Sequence, residues 1–452
     1  MPAFSPGLWA STVMNFRARL RYGKNLRELI HHSGTLIAGN LFAGIWGLAY
    51  LGILTRSVDL STVGLFATVI GFVGIVERLV GFPSWQTVIH FGTEELGGST
   101  PHKLGTVIRI AGIIDSLASV AGVAVAMSVA FFLQDSLFQS SVGTMTMLIA
   151  ATPLLLGVSS TATGVLRVFG RFRLIAIAGA FGPMVTTGIF LGLLLAGVND
   201  LPLFVFGWAV GNLLSKLIIV VGASKLSKSH TDKSGSLTSM KAYLSEKDQF
   251  SRFVLLSKAN GMVRALRDID ILLVSFFLGA NMAGLYKIGR LIAAVFGRLT
   301  GPFHQAIFPL LSRLLVTGER KQMVVVMRQA SVILGSTVLL GWVGFLFFGE
   351  GIMAFIFGAV YKEAFLPTSI MLIAMVIWSF AQSLSPGLLA DGKVGTLSGI
   401  DATTTLIYIG SLLSLSNLFG ILGASAALVL FYLMWSSAAL FFTLKQYNTL
   451  ES

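Results

Sequence analysis

Two pairs of opposite charges, Arg264 with Asp268 and Arg267 with Asp270, fall three or four residues apart inside an otherwise apolar run, and Lys287, Arg290 and Arg298 follow in the next one. On a helix, Arg264 and Asp268 share a face and Arg267 and Asp270 share a neighbouring face, positions at which opposite charges can meet. The first cluster can therefore compensate itself as a structural ion-pair group. Lys287, Arg290, Ala294, Arg298, Gly301 and Gln305 form one narrow helical stripe on which no acid is expected. Arginine offers a planar fork of donors matched to phosphate oxygens. The chemistry such a stripe could do is anion binding. A basic side chain at the centre of a membrane helix costs roughly 2.5–3.5 kcal/mol, so several on one face predict a water-filled vestibule.

Acids within apolar runs are Glu77, Asp115, Asp268, Asp270 and Asp401, and each can hold a proton or sodium ion. Glu77 neighbours Arg78. Asp115 lies two turns from Arg109 and has no partner in its own helix; it is expected to pair with an arginine of another helix, and as the alternative it is the better coupling candidate among the acids. Arg78, Arg109, Lys216 and Lys258 sit close to the ends of their runs and are expected to snorkel to the interface. The chain has no cysteine, and its six histidines have no metal-ligand spacing, so no thiol chemistry, metal site or cofactor is expected beyond H+ or Na+ coupling.

The elements that must position these groups are twelve apolar stretches of about twenty residues. Of 452 residues 55% are hydrophobic and 11% charged, a balance outside the soluble globular range. Continuous rather than alternating hydrophobicity predicts helices, since backbone polar groups in hydrocarbon must be satisfied internally. The expected spans are 34–54, 60–81, 105–132, 144–166, 174–197 and 202–222, then 253–279, 282–310, 323–348, 365–386, 395–416 and 420–443. The corresponding domains are a basic interfacial N-terminus (1–33), a six-helix bundle (34–222), a linker (223–252), a second six-helix bundle (253–443) and a tail (444–452).

The net charge of +13 lies mostly between the spans and argues for orientation rather than nucleic acid. Outside the spans, one side of the membrane holds only Arg56 and Lys362, and the side shared by both termini holds all other cations, which predicts cytoplasmic termini. The stretch with Arg17, Arg19, Arg21, Lys24 and Arg27 lacks a signal-peptide core and is expected to lie on anionic lipid. Gly64-Leu65-Phe66 and Gly284-Leu285-Tyr286 recur 220 positions apart, and GVLRVFG from Gly164 answers GLLADG from Gly387 at 223. Six spans per repeat give two halves of the same orientation, related by a pseudo-twofold axis along the membrane normal.

WQTVIHFG from Trp85, GVLRVFGRF from Gly164, RDIDILLVSFFLGANMAGLYKIGR from Arg267, FPLLSRL from Phe308 and FGAVYKEA from Phe357, in that order, resemble the multidrug/oligosaccharidyl-lipid/polysaccharide (MOP) exporter superfamily. Within it the chain looks most like the flippases for polysaccharide repeat units. The resemblance covers nearly the whole chain and implies a MATE-like, all-α polytopic fold that is not an enzyme. It implies alternating access in a bacterial inner membrane, an isoprenoid-pyrophosphate-linked oligosaccharide as cargo, and other polysaccharide assembly proteins as partners. On that reading Arg264, Arg267, Arg290 and Arg298 contact the pyrophosphate, and Lys287 steers it near the outer mouth. Trp85, Trp208 and Tyr286 are expected as interfacial anchors, with stacking on sugars as the alternative. Two other functions stay open: a cation-coupled drug exporter of the same fold, and a membrane polymerase or ligase. The enzyme would have to work with Glu350, Lys362 and Glu363.

Overall fold

The computed structural model describes residues 34–36, 38–97, 103–133, 142–230, 243–244 and 248–448, and all of its regular structure there is helical. The expected interfacial N-terminus (1–33), half of the linker and the end of the tail lie outside these residues. The first half contains α1 (Gly34–Ser57), α2 (Leu60–Val80), α3 (Ser84–Gly97), α4 (Lys103–Ser128), α5 (Thr144–Ala151), α6 (Ser159–Val168), α7 (Phe172–Leu195) and α8 (Leu201–His230). The second contains α9 (Asp248–Arg267), α10 (Asp270–Leu278), α11 (Ala280–Val316), α12 (Arg320–Phe357), α13 (Phe365–Ala381), α14 (Leu384–Ala390) and α15 (Val394–Asn448).

Nine helices of the described residues are long and apolar enough to cross a membrane. One of them, α15, is two spans joined at Gly420, whose φ of 60° breaks the helix. The pair α9–α10 and the helix α11 fall outside that set because they carry the charges singled out above. Counting them, the chain has twelve spans in two six-helix bundles.

Local chemistry sets several boundaries. Asp59 caps α2, accepting from Ser61 N at 3.1 Å and Thr62 N at 3.4 Å. Pro153 removes a backbone donor, and the fourth span narrows to a 3-10 turn at Thr152–Leu156 between α5 and α6. The tenth span breaks before Pro386, separating α13 from α14. Helix α3 is an element the sequence reading left in a loop. The helix α8 runs on to His230 and α9 begins at Asp248, so both ends of the expected linker are helical. Pro302 lies within the continuous α11.

The internal repeat is visible in the backbone. A Cβ on Gly64 would overlap the carbonyl oxygen of Ala280, and one on Gly284 would lie 2.9 Å from that of Leu60. Each glycine thus meets the residue four before its counterpart, and α2 and α11 cross there at backbone contact. Gly170 and Gly392 both adopt positive φ (66° and 74°), as do Gly197 and Gly420 (69° and 60°). The first pair ends α6 and α14 with the same hydrogen bonds, from the glycine N–H and the next one back to the preceding turn. Within the first bundle α7 and α8 pack closely, with Gly182 and Gly211 letting the backbones approach.

Candidate functional site

The charged centre forms where the seventh span is interrupted. α9 ends at Arg267 and α10 starts at Asp270, with Asp268 and Ile269 closing the turn by hydrogen bonds to Ala265 O (3.1 Å) and Leu266 O (3.4 Å). Asp270 therefore stands in the first turn of α10, where a carboxylate is favoured by the exposed amide dipoles. Its Oδ1 accepts from Ile271 N at 2.8 Å. Its Oδ2 accepts from Arg290 Nε at 2.8 Å, Tyr286 Oη at 3.0 Å and Tyr408 Oη at 3.2 Å. This carboxylate is buried and fully partnered.

Asp268, two residues earlier, is 42% exposed. It pairs with Arg290 at 3.7 Å and with Arg78 from the last turn of α2. Arg78 belongs to the first bundle, so Asp268 joins the halves. Lys258 of α9 reinforces the junction by donating to the carbonyls of Leu79 and Gly81, each at 2.5 Å. His90 of α3 stacks on Phe253 of α9 at 4.6 Å on the same side.

Two sequence expectations are corrected here. The stripe on α11 is accompanied by acids, because the break at Asp268 turns both carboxylates toward Arg290 and away from the arginines of their own helix. The pairing of Arg264 with Asp268 and of Arg267 with Asp270 is not formed; Arg264 is exposed and Arg267 lies over the Phe431 ring at 5.6 Å. Among the described residues Arg78, Lys287 and Arg290 stand near Asp268 and Asp270, and Glu77, itself paired with Lys216, adds a third acid beside Arg78, so four cations meet three carboxylates. Lys287 is half-buried without an ion pair among the described residues. Arg298 continues the helix, and its side chain lies outside the described residues.

Arg78 and Lys258, expected to snorkel, instead bridge the bundles. Lys216 pairs with Glu77 at 2.6 Å and donates to Pro153 O at 2.9 Å. Asp401 accepts from Trp435 Nε1 at 2.7 Å. Asp115 is 2% exposed and has no arginine partner among the described residues. Ser84 Oγ (2.5 Å), Thr161 N (2.8 Å) and Thr161 Oγ1 (2.6 Å) all donate to it. These donors come from α3 and from α6, just beyond the narrowed turn, so Asp115 ties both to α4. Asp115 and Glu77 line one cavity of about 250 Å³ with Trp85 and Arg167.

The aromatic expectations divide. Tyr286 is fully buried and engaged with Asp270, leaving no face for a sugar. Trp85 carries the Arg167 guanidinium at 4.4 Å from its ring. Trp208 packs against the main core. At the opposite end of the molecule Lys362 pairs with Glu350 at 3.3 Å, so two of the three groups available to an enzyme there neutralise each other. Among the described residues no three His, Cys, Asp or Glu side chains cluster closely enough to hold a metal.

Sequence reasoning missed Tyr408 and the bridging role of Arg78. Tyr408 sits in an apolar run with nothing to mark it. Arg78 was visible as a charge in an apolar window, but its partner is 190 positions away.

No family model matches the chain. A curated relative, the inner membrane protein YghQ of Escherichia coli (strain K12), is 23% identical over 347 residues, covering 75% of this chain and 95% of that protein. Among solved structures, an inward-facing multidrug resistance MATE family transporter of the MOP superfamily superposes with a TM-score of 0.70 at 14% identity, covering 92% of this chain and 95% of the other. The lipid II flippase MurJ in an inward closed conformation also gives 0.70, at 16% identity, covering 90% and 86%. The chain has the fold shared by these MOP-superfamily transporters and flippases.

Proposed function

We propose that the chain is a flippase that moves an isoprenoid-pyrophosphate-linked oligosaccharide across the bacterial inner membrane by alternating access. One observation carries this reading: Arg78 of the first bundle and Arg290 of the second meet on a single, partly exposed carboxylate, Asp268. A pyrophosphate offers the same two guanidinium groups more oxygens and more charge than Asp268 does. Cargo that replaces Asp268 binds across the seam, so its presence changes which arrangement of the bundles is favoured. Arg264, Arg267 and Arg298 extend the positive field, and Lys287 steers the anion.

In this scheme both termini are cytoplasmic, the cargo enters from that side, and the products serve surface polysaccharide assembly with its partner proteins. Glu77, Asp115, Asp268 and Asp270 are the groups available for H+ or Na+ coupling. We favour Asp115, because its loss of charge would loosen α3 and α6 from α4 together. The alternative is a drug exporter, which the fold equally permits. An excess of arginine opposes a cationic cargo.

The test is deletion of the gene with leaflet-resolved tracking of labelled lipid-linked glycans, complemented by variants. Export should fail on deletion and with Arg78→Ala, and recover in part with Arg78→Lys. Arg290→Lys should transport better than Arg290→Ala, whose interpretation requires a folding check because Asp270 loses its cation. Unchanged glycan export, together with cationic dye efflux that depends on the protein, would replace this reading with the drug exporter.

A further inference from the structure

A groove of about 1070 Å³ runs along the outer side of the first bundle between α7 and α8, bounded by Thr35 of α1. Its rim holds Arg171, Arg173 and Lys225, and no acid among the described residues lines it. None of the three cations is ion-paired among the described residues, and all are exposed. The remaining wall is largely apolar, with Leu174, Ile177 and Leu217 prominent. Gly222 makes room for this wall, since a Cβ there would overlap the Leu174 side chain.

We propose that this groove binds one anionic glycerophospholipid of the adjacent leaflet, its phosphodiester on Arg171, Arg173 and Lys225 and its acyl chains on Leu174, Ile177 and Leu217. Charge selects an anion, and the apolar wall selects a molecule with hydrocarbon attached. Depth agrees with both. Arg171 immediately precedes α7, Arg173 lies in its first turn and Lys225 near the end of α8, so the cations stand at headgroup level while the apolar residues reach inward. Ile177, Leu217 and Val221 are exposed on the outer surface, where the bilayer rather than water supplies the occupant. This site is separate from the centre at Asp268 and does not depend on the cargo proposed for it.

The experiment is native mass spectrometry of the full chain in mild detergent, titrated with phosphatidylglycerol or phosphatidylcholine. Wild type should retain one phosphatidylglycerol at concentrations where phosphatidylcholine is lost. The triple variant Arg171→Gln, Arg173→Gln, Lys225→Gln should weaken that binding by on the order of a hundredfold. Removing equal charge elsewhere on the same face, with Arg320→Gln, Lys321→Gln and Lys393→Gln, should leave it in place. Val221→Trp, which fills the groove and keeps the cations, should also weaken it. Equal retention by the triple variant, an equal loss in the control, or undiminished binding to Val221→Trp would each overturn the proposal.

Discussion

The two bundles touch at both ends of the same helix by opposite means. At the start of α2, Gly64 and Gly284 bring backbone against backbone with no side chain between them. Near its end, Arg78 and Asp268 meet through long, half-exposed charged groups, and Lys258 reaches across to carbonyls. A glycine crossing is sensitive to small separations, because a gap of about 0.5–1 Å already forfeits roughly a quarter to a half of each dispersion contact. An ionic junction in contact with water is exchangeable, since another anion or a shift in salt can replace either partner. The two contacts between the bundles therefore differ in kind, a backbone crossing with no room for a side chain at one end and a water-accessible ionic junction at the other.

The largest change in helix position should come from Gly64→Val. Its side chain has no space against Ala280, so α2 and α11 must part, and overpacking of this kind costs about 1–3 kcal/mol or more. The absence of native cysteine allows a clean reporter. A cysteine at Ala283, fully buried at the crossing, should react with a membrane-impermeant maleimide about tenfold faster or more when Gly64→Val is present. An unchanged labelling rate in a folded variant would mean that the crossing does not keep Ala283 out of reach.

The largest loss of stability is expected at the buried anchor of the charged end. Asp270→Ala leaves Arg290 without its closest carboxylate and two tyrosine hydroxyls without an acceptor. Breaking a buried pair from one side costs roughly 3–5 kcal/mol, and thermal unfolding in detergent should register a loss of that order. Asp268→Ala, on a half-exposed group, should cost no more than about 1 kcal/mol. Equal losses at the two positions would erase the distinction between a fixed anchor and an exchangeable partner.

Much of this architecture was legible in the residues. Run length and continuity gave the helices, and the positions of Gly64 and Gly284 pointed to a repeat whose two copies lie face to face. The charge centre was legible in its location but not in its pairings. Spacing on an ideal helix joins Arg264 to Asp268, yet the turn at Asp268 and Ile269 redirects both acids, and no proline or glycine marks that turn. Asp115 shows the same limit. Its lack of a partner within α4 could be read, whereas the hydroxyls of Ser84 and Thr161 that surround it come from segments interrupted at Pro83 and Pro153. Local periodicity reports which side chains share a face, and breaks in a helix decide what that face meets.

The smallest effect in stability should come from Arg78→Gln, and it sharpens the comparison most directly. Both partners of this ion pair are more than a third exposed, so screening by water limits its contribution to about 1 kcal/mol or less. The screening length falls from about 10 Å at 0.1 M salt to about 3 Å at 1 M. Wild type should then show a longer distance between spin labels on α2 and α9 at the charged end as salt is raised, while labels flanking Gly64 and Gly284 report no change. Arg78→Gln should begin with the longer distance and lose most of the salt response, with Lys258 retaining the remainder through its carbonyl contacts. A salt response that is the same with and without Arg78 would place the movable contact elsewhere, and the exchange of Asp268 for a phosphate would lose its structural basis.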